Sequence, residues 1–220
     1  MGFSAETFSF LRDLEANNSK EWFDANRTRY EEHWKAAALD FIADVSGAMG
    51  ALNPSLCAEP KLNKSLRRIN RDVRFSKDKS PYNARLHMVF WSGDHPNRSP
   101  GLHVVLSSGG VGYGAGWFGL TPAELAAVRK RIAGKDGPGL IDAVALAETV
   151  HCQMGAPDLA RVPRGFEADG EVARLLRYKS IVARTYDHLD PPEAVFGKTG
   201  ADWLSDKSKA LMPLLRWLAG

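Results

Sequence analysis

The residues best suited to chemistry are concentrated in segment 67–85. This segment holds seven basic and two acidic residues, a net charge of +5, whereas the whole 220-residue chain carries +3. The remainder of the chain is therefore slightly acidic. Guanidinium groups offer fixed pairs of N–H donors that match carboxylates and phosphates. The charge distribution predicts one local cationic site and disfavours a broad nucleic-acid-binding surface.

The stretch from Arg67 to Tyr82 is predicted to begin with a β-strand. Its apolar residues Ile69, Val73 and Phe75 alternate with polar ones, which is typical of a half-buried strand. A turn is expected over 77–81. On this interpretation the opposite face of the strand carries the polar residues Arg68, Asn70, Asp72 and Arg74.

Two interpretations of these arginines stay open. In one, Asp72 and Asp78 pair with them and brace the strand and its turn. In the other, Arg68 and Arg74 also clamp a carboxylate or phosphate, and residues just past the turn close over it. Arg71 falls on the apolar face, where an unpaired buried guanidinium is costly, so it needs an acidic partner or access to the rim.

Composition argues against several classes of protein. The two cysteines, Cys57 and Cys152, fit neither a disulfide framework nor a metal knuckle, so a reducing cytoplasmic location is expected. No run of about 18 apolar residues predicts a membrane span. The six histidines lack metal-site spacing, and no triad signature is present. We therefore predict no metal, no cofactor and no membrane partner.

The apolar pattern predicts a single α+β domain over residues 1–220. An N-cap at Ser4, an apolar stripe over 30–52 and a capping box at Thr121 predict helices before and after a sheet. The sheet is expected to be an antiparallel meander of about four strands plus a late strand, with N-terminal, middle and C-terminal helices packed on it. The expected strands are the arginine-rich segment, 85–91, 102–108, 111–120 and 181–186. Pro213 is expected to bend or break the last helix.

Two further patterns concern the predicted strands. The G-x-G-x-x-G motif at 114–119 precedes a helix start at Thr121 that comes too late for a dinucleotide fingerprint. With Gly112 it forms a run of alternating glycines, which is typical of a strand crossed closely by another element. His87 and His103 fall on neighbouring predicted strands and can converge, although two solvated or singly hydrogen-bonded imidazoles are the more ordinary outcome.

The motif R-x-x-R-D-x-R-F, followed by D-K-x-x-Y, resembles the signature of the uncharacterised bacterial family DUF2461. The segment 8–23 and the P-R-G-F sequence at 163–166 extend the resemblance over nearly the whole chain. The resemblance implies a shared architecture without a known reaction. It selects these candidate ligand-binding residues: Arg68, Arg71, Asp72, Arg74, Asp78, Lys79 and Tyr82.

Three functions remain open at this stage. The first and favoured one is a binding module for a small phosphate- or carboxylate-bearing anion. The second is an enzyme acting on a phosphorylated or acidic substrate, with Asp72 or Asp78 as general base. The third is a structural or interaction protein whose motif stiffens a hairpin that presents Trp91, Trp117 and Phe118. A small anion is thus the expected partner, nucleic acid is not, and the oligomeric state is left open.

Overall fold

The computed structural model describes residues 2–186 and 189–220. Within them, six strands form one antiparallel sheet in the order β1-β2-β3-β4-β6-β5. The strands are β1 (Leu56–Cys57), β2 (Leu86–Ser92), β3 (Gly101–Ser107), β4 (Gly110–Trp117), β5 (Gln153–Met154) and β6 (Ile181–Arg184). The predicted α+β class is confirmed, with three long meander strands, a late strand and two short edge strands.

Helices precede, interrupt and follow the strands. The α-helices are α1 (Ala5–Ala16), α2 (Lys20–Ala25), α3 (Arg27–Arg29), α4 (Ala37–Leu52), α5 (Pro122–Ala133), α6 (Gly137–Glu148), α7 (Gly170–Leu176) and α8 (Thr199–Ala219). A π-helical segment (Tyr30–Ala36) leads into α4, and a 3₁₀ turn (Pro192–Val195) precedes α8. The capping box predicted at Thr121 is present, since the Thr121 N–H donates to Glu124 over 2.7 Å.

Pro213 does not break α8, which runs uninterrupted from Thr199 to Ala219. A proline inside a helix removes one backbone hydrogen bond and crowds the preceding turn. Burial of the apolar face of α8 offsets this cost, because Leu211, Leu214 and Leu215 are fully buried around the proline. Packing therefore overrides the local helix-breaking signal.

The two faces of the sheet have different roles. Across β2, β3 and β4, Met88, Val104 and Tyr113 lie side by side in register and are buried. They belong to the hydrophobic core, on which α1 and α8 pack. The alternate residues, such as His87 and Val105, point to the other face, which we call the open face. The core thus fixes the register, and the register decides which side chains reach the open face.

Segment 67–85 is not a strand, and that prediction is wrong. It forms an irregular loop whose two legs meet through backbone hydrogen bonds from Arg71 to Pro81 (2.9 Å) and from Asn83 to Ile69 (2.7 Å). Of the three alternating apolar residues only Ile69 is buried, and Phe75 is 95% exposed at the tip. The alternation misled because no core lies beneath this loop to hold a pleated strand.

The glycines of β4 allow a close approach of β6, as the alternating pattern predicted. A β-carbon at Gly114 would lie 2.5 Å from the Ala183 carbonyl oxygen and 2.6 Å from the Arg184 Cβ. Residues 114–117 of β4 pair with residues 181–184 of β6 across this narrow gap. We infer that the sheet bends sharply here toward its open face.

A methyl group at position 114 should therefore destabilise the protein. We expect Gly114→Ala to lower the free energy of unfolding by about 1–3 kcal/mol, because the clash is with backbone that cannot move aside. The melting temperature should fall by about 2–4 °C per kcal/mol for a chain of this size. Thermal and urea unfolding would measure the change.

Gly119→Ala is the matched control, because its nearest atom, the Asn97 carbonyl oxygen, would lie 3.4 Å from the new carbon. An equal loss of stability in both variants would contradict the close-approach explanation.

Candidate functional site

A cavity of about 550 Å³ occupies the open face of the sheet. Its floor and walls come from β2, β3, β4 and β6, from the two ends of segment 67–85, and from Phe118, Tyr186 and Leu189. Its basic and imidazole side chains are Arg67, Arg68, Arg85, Arg184, His87 and His103. No Asp or Glu is found among the described residues that line it. The cavity is therefore cationic.

Arg67 is fixed in the wall. Its guanidinium donates to the side chain of Asn97 and, over 2.8 Å, to the Pro96 carbonyl. Its backbone N–H donates to the His87 carbonyl over 2.9 Å, which ties this end of the loop to β2. Burial lowers the pKa of Arg67, although an arginine stays charged at neutral pH.

Arg68 and Arg85 keep their donors available. Both are exposed, and no hydrogen bond or salt bridge joins their guanidinium groups to any residue that the structure describes. Within that part of the chain, they can form charge-assisted hydrogen bonds to an anion without first breaking an ion pair. Arg184 lies over the ring of Tyr186, with 4.6 Å between the guanidinium carbon and the ring centroid.

His87 and His103 meet in the cavity, as their placement on neighbouring strands suggested. The His87 Nε2 and His103 Nδ1 atoms are 2.9 Å apart, a hydrogen bond. Burial, with a smaller effect from the charge of Arg67, lowers the pKa of His87 to about 4. Burial, followed by the effects of His87 and Arg67, lowers the pKa of His103 to about 3. Both imidazoles are therefore neutral at pH 7, and their outer nitrogens together provide one donor and one acceptor.

An apolar wall faces the arginines. Phe118, Tyr186 and Leu189 all line the cavity, with 51%, 45% and 39% of their surface exposed. They account for three of the five large hydrophobic side chains that the described chain exposes. Such clustering of exposed apolar groups is typical of a ligand-binding surface.

Of the seven residues predicted from the motif, only Arg68 lines the cavity. Arg74 pairs with Asp72 through two short contacts, of 2.6 and 2.9 Å. Arg71 pairs with Asp78 at 2.6 Å and also donates to the Ser80 carbonyl. The motif therefore forms ion pairs within the loop, and its two aspartates hold the loop in shape.

Neither aspartate is poised as a general base. The backbone and side chain of Ser80, together with Arg71, lower the pKa of Asp78 to about 2. Arg74 lowers the pKa of Asp72 in the same way. An efficient general base has a pKa near the operating pH and an unoccupied lone pair. The geometry thus gives the proposed Asp-based enzyme no support.

Lys79 and Tyr82 anchor the loop. The Lys79 ammonium donates to the Val73 carbonyl over 3.0 Å, across the tip. Tyr82 is buried and stacks on Phe23, with ring centroids 4.1 Å apart. Asn18 binds both the N–H and the carbonyl of Tyr82. Tyr82 therefore fastens the base of the loop to the N-terminal helices.

The aromatic residues predicted to form an exposed patch differ in how deeply they are buried. Trp91 is buried, Trp117 is half-buried with its indole N–H bound to the Arg98 carbonyl at 2.9 Å, and Phe118 is exposed. They do not form the shared surface on which the interaction hypothesis depended. Phe118 belongs to the cavity instead.

Sequence reasoning missed Arg85, Arg184 and Tyr186. The motif left Arg85 out, and Arg184 lay on a late strand whose place in the sheet the sequence did not specify. One sequence signal could have found Arg184. A glycine-rich strand such as β4 is expected to pair closely with another strand, and the next segment that alternates polar and apolar residues is β6.

Neither the buried cysteine nor the described metal-ligating side chains form a reactive site. Cys152 is buried, and burial raises the pKa of its thiol to about 12, so it is not a nucleophile at neutral pH. Within residues 2–186 and 189–220, no cluster of three or more His, Cys, Asp or Glu side chains could hold a metal ion. No helix in that part of the chain is long and apolar enough to cross a membrane.

Fold and site together define an α+β protein with helices on one face of an antiparallel sheet and a cationic cavity on the other. The chain belongs to the family DUF2461, described as "Conserved hypothetical protein", whose family model matches residues 6–217. No curated protein and no solved structure matches it. The family description names no activity, so the cavity is the main indication of function.

The histidine pair should make stability depend on pH. An unfolded histidine has a pKa near 6.5, above the values of about 4 and about 3 in the folded protein, so between these pH values the unfolded state binds more protons. The free energy of unfolding should therefore decrease as the pH falls from about 6.5 to about 4. Urea unfolding at a series of pH values would measure this slope.

His103→Gln should flatten the slope over this range, whatever it does to stability at pH 7. His95→Gln is the control, because His95 is exposed and lies outside the cavity. Equal slopes in wild type and His103→Gln would show that the pair is not held neutral.

Proposed function

We propose that the protein is a binding module for a small anion carrying a phosphate or carboxylate group, and that the anion binds in the cavity on the open face. One observation carries this proposal. Four arginines line the cavity, and none of the described lining residues is acidic. Because both imidazoles are neutral, the described lining residues carry four positive charges and no negative one.

The contrast with the neighbouring loop supports this interpretation. In the loop, Arg71 and Arg74 each have their own carboxylate, at 2.6 Å. A short distance along the chain, Arg85 and Arg68 form no such contact within the described residues, although the charge of Arg68 acts on Asp72 from a greater distance. Unpaired cations in a concave site focus the electrostatic potential and attract anions. The chain thus neutralises the arginines that brace the loop and leaves those at the cavity available.

Binding is better supported than catalysis. The loop carboxylates are already engaged, and Cys152 is protonated and buried. The histidine pair can donate and accept hydrogen bonds, but its low pKa values make it a weak base. Both cysteines are free thiols, which supports the expectation that binding takes place in a reducing compartment such as the cytoplasm.

Removal of a cavity arginine should weaken anion binding without unfolding the protein. Wild-type protein at low ionic strength should gain thermal stability when inorganic phosphate or glycerol 3-phosphate is added. Arg68→Ala and Arg85→Ala should each raise the Kd by about 10- to 100-fold, because a hydrogen bond to a charged group contributes about 1.5–3 kcal/mol. Thermal shift and calorimetric titration would measure these effects.

Arg74→Ala provides the matched control, since it removes a motif arginine that is paired with Asp72 outside the cavity. It should change the Kd by less than about threefold, because an exposed ion pair contributes little to holding the loop in place. If Arg74→Ala abolished binding while Arg68→Ala and Arg85→Ala did not, the anion site would lie on the motif loop. If no anion raised the melting temperature, the proposed function would be wrong.

A further inference from the structure

The cavity also indicates which kind of anion fits. We infer that its ligand is a ring-bearing organic anion, with the anionic group at the arginine wall and a planar ring at the apolar wall. This inference rests on the proposed anion binding. It adds a class of ligand that charge alone does not specify.

The two walls stand on opposite sides of the cavity. Arg85 directly precedes β2, and the backbone of Arg67 is bound to β2, so the arginine wall rises from that strand. Arg184 ends β6, and Tyr186 follows it two residues later. Two strands, β3 and β4, lie between β2 and β6 in the sheet. Three strand spacings correspond to roughly 14 Å along the sheet between β2 and β6. The Phe118 ring of the apolar wall reaches the floor between them, where it packs edge-on against His103 of β3 with ring centroids 5.0 Å apart.

The wall at β6 is suited to a flat apolar group. Phe118 and Tyr186 each leave about half of their surface exposed in the cavity, and Leu189 lies beside them. The Arg184 guanidinium is already stacked on Tyr186, which extends the planar surface. Aromatic and guanidinium planes bind rings by stacking and offer little to a compact inorganic ion.

The floor between the walls is uncharged. Gly112 and Gly114 contribute only backbone to it, with β6 and Leu189 lying closely over them. On the neighbouring strand, the histidine pair offers one neutral donor and one neutral acceptor. Neutral groups suit uncharged polar atoms of a ligand better than a second anionic group. The polarity thus changes from the arginine wall through a neutral floor to a wall of apolar side chains that also carries Arg184.

The volume agrees with this class of ligand. At about 550 Å³, the cavity lies within the range of about 300–1,000 Å³ that small-molecule sites show. An inorganic phosphate would fill only a small part of this space and leave the apolar wall uncovered. A ring-bearing phosphate or carboxylate can contact both walls at once.

Matched ligand pairs test the inference by calorimetric titration of the full-length protein at low ionic strength. Phenyl phosphate and uridine monophosphate carry a ring, whereas glycerol 3-phosphate does not. Phenylacetate and acetate form the corresponding carboxylate pair. We expect the ring-bearing member of the preferred pair to bind at least about 10-fold more tightly, and the better pair to identify the anionic group.

Two variants locate the ring. Phe118→Ala should reduce the advantage of phenyl phosphate over glycerol 3-phosphate to less than about threefold, because it removes the exposed aromatic side chain of the apolar wall. Phe75→Ala, which removes a more exposed phenylalanine outside the cavity, should keep the advantage. Circular dichroism would confirm that both variants are folded.

Failure of this inference can be distinguished from failure of the proposed function. Equal affinity for ring-bearing and ringless anions in the wild-type protein would overturn this inference and leave anion binding in place. Retention of the ring advantage in Phe118→Ala would also overturn it, since the ring would then bind elsewhere. Absence of binding by every anion would overturn the proposed function together with the inference.

Discussion

The backbone of β6 lies so close to β4 that position 114 has no room for a β-carbon, which would sit 2.5 Å from the Ala183 carbonyl oxygen. The β6 backbone therefore lies on the open-face side of β4 at this position, and Val182 and Arg184 of β6 line the cavity. Residues 189–190 continue the wall, because Val111 and Asp190 exchange backbone hydrogen bonds of 2.8 and 2.9 Å. Lys207 and Trp203 of α8 then bind the Asp190 carboxylate and fix this segment to the helical layer.

Arginine serves two purposes in segment 67–85. Around the tip, ion pairs with Asp72 and Asp78 stabilise the loop, although exposed pairs of this kind contribute little individually. At the base, the stack of Tyr82 on Phe23 and the backbone bond from Arg67 to β2 hold the two legs in place. These contacts at the tip and at the base of the loop keep Arg68 and Arg85 at the edge of the cavity. The motif therefore contributes to the site mainly by positioning these two arginines.

Local signals in the sequence predicted much of the fold. Caps such as the Thr121 box, the apolar stripe of α4 and the alternation in β2 and β3 each reflect an interaction between near neighbours, and each element formed. The strand predicted in segment 67–85 is wrong, because an alternating pattern predicts a strand only where a core covers one face. The site could be predicted only in part. Arg68 belonged to a recognisable motif, whereas Arg184 joins it through strand pairing between distant parts of the chain.

Both edge strands of the sheet, β1 and β5, are only two residues long. Much of the outer side of β2 is covered by residues 65–67, whose backbone bonds to Val89 and His87 replace a regular neighbour. A long flat edge strand would offer a template on which other chains could add strands and start to aggregate. Short, irregularly covered edges remove that template. The protein should therefore resist growth into cross-β assemblies even when it is concentrated.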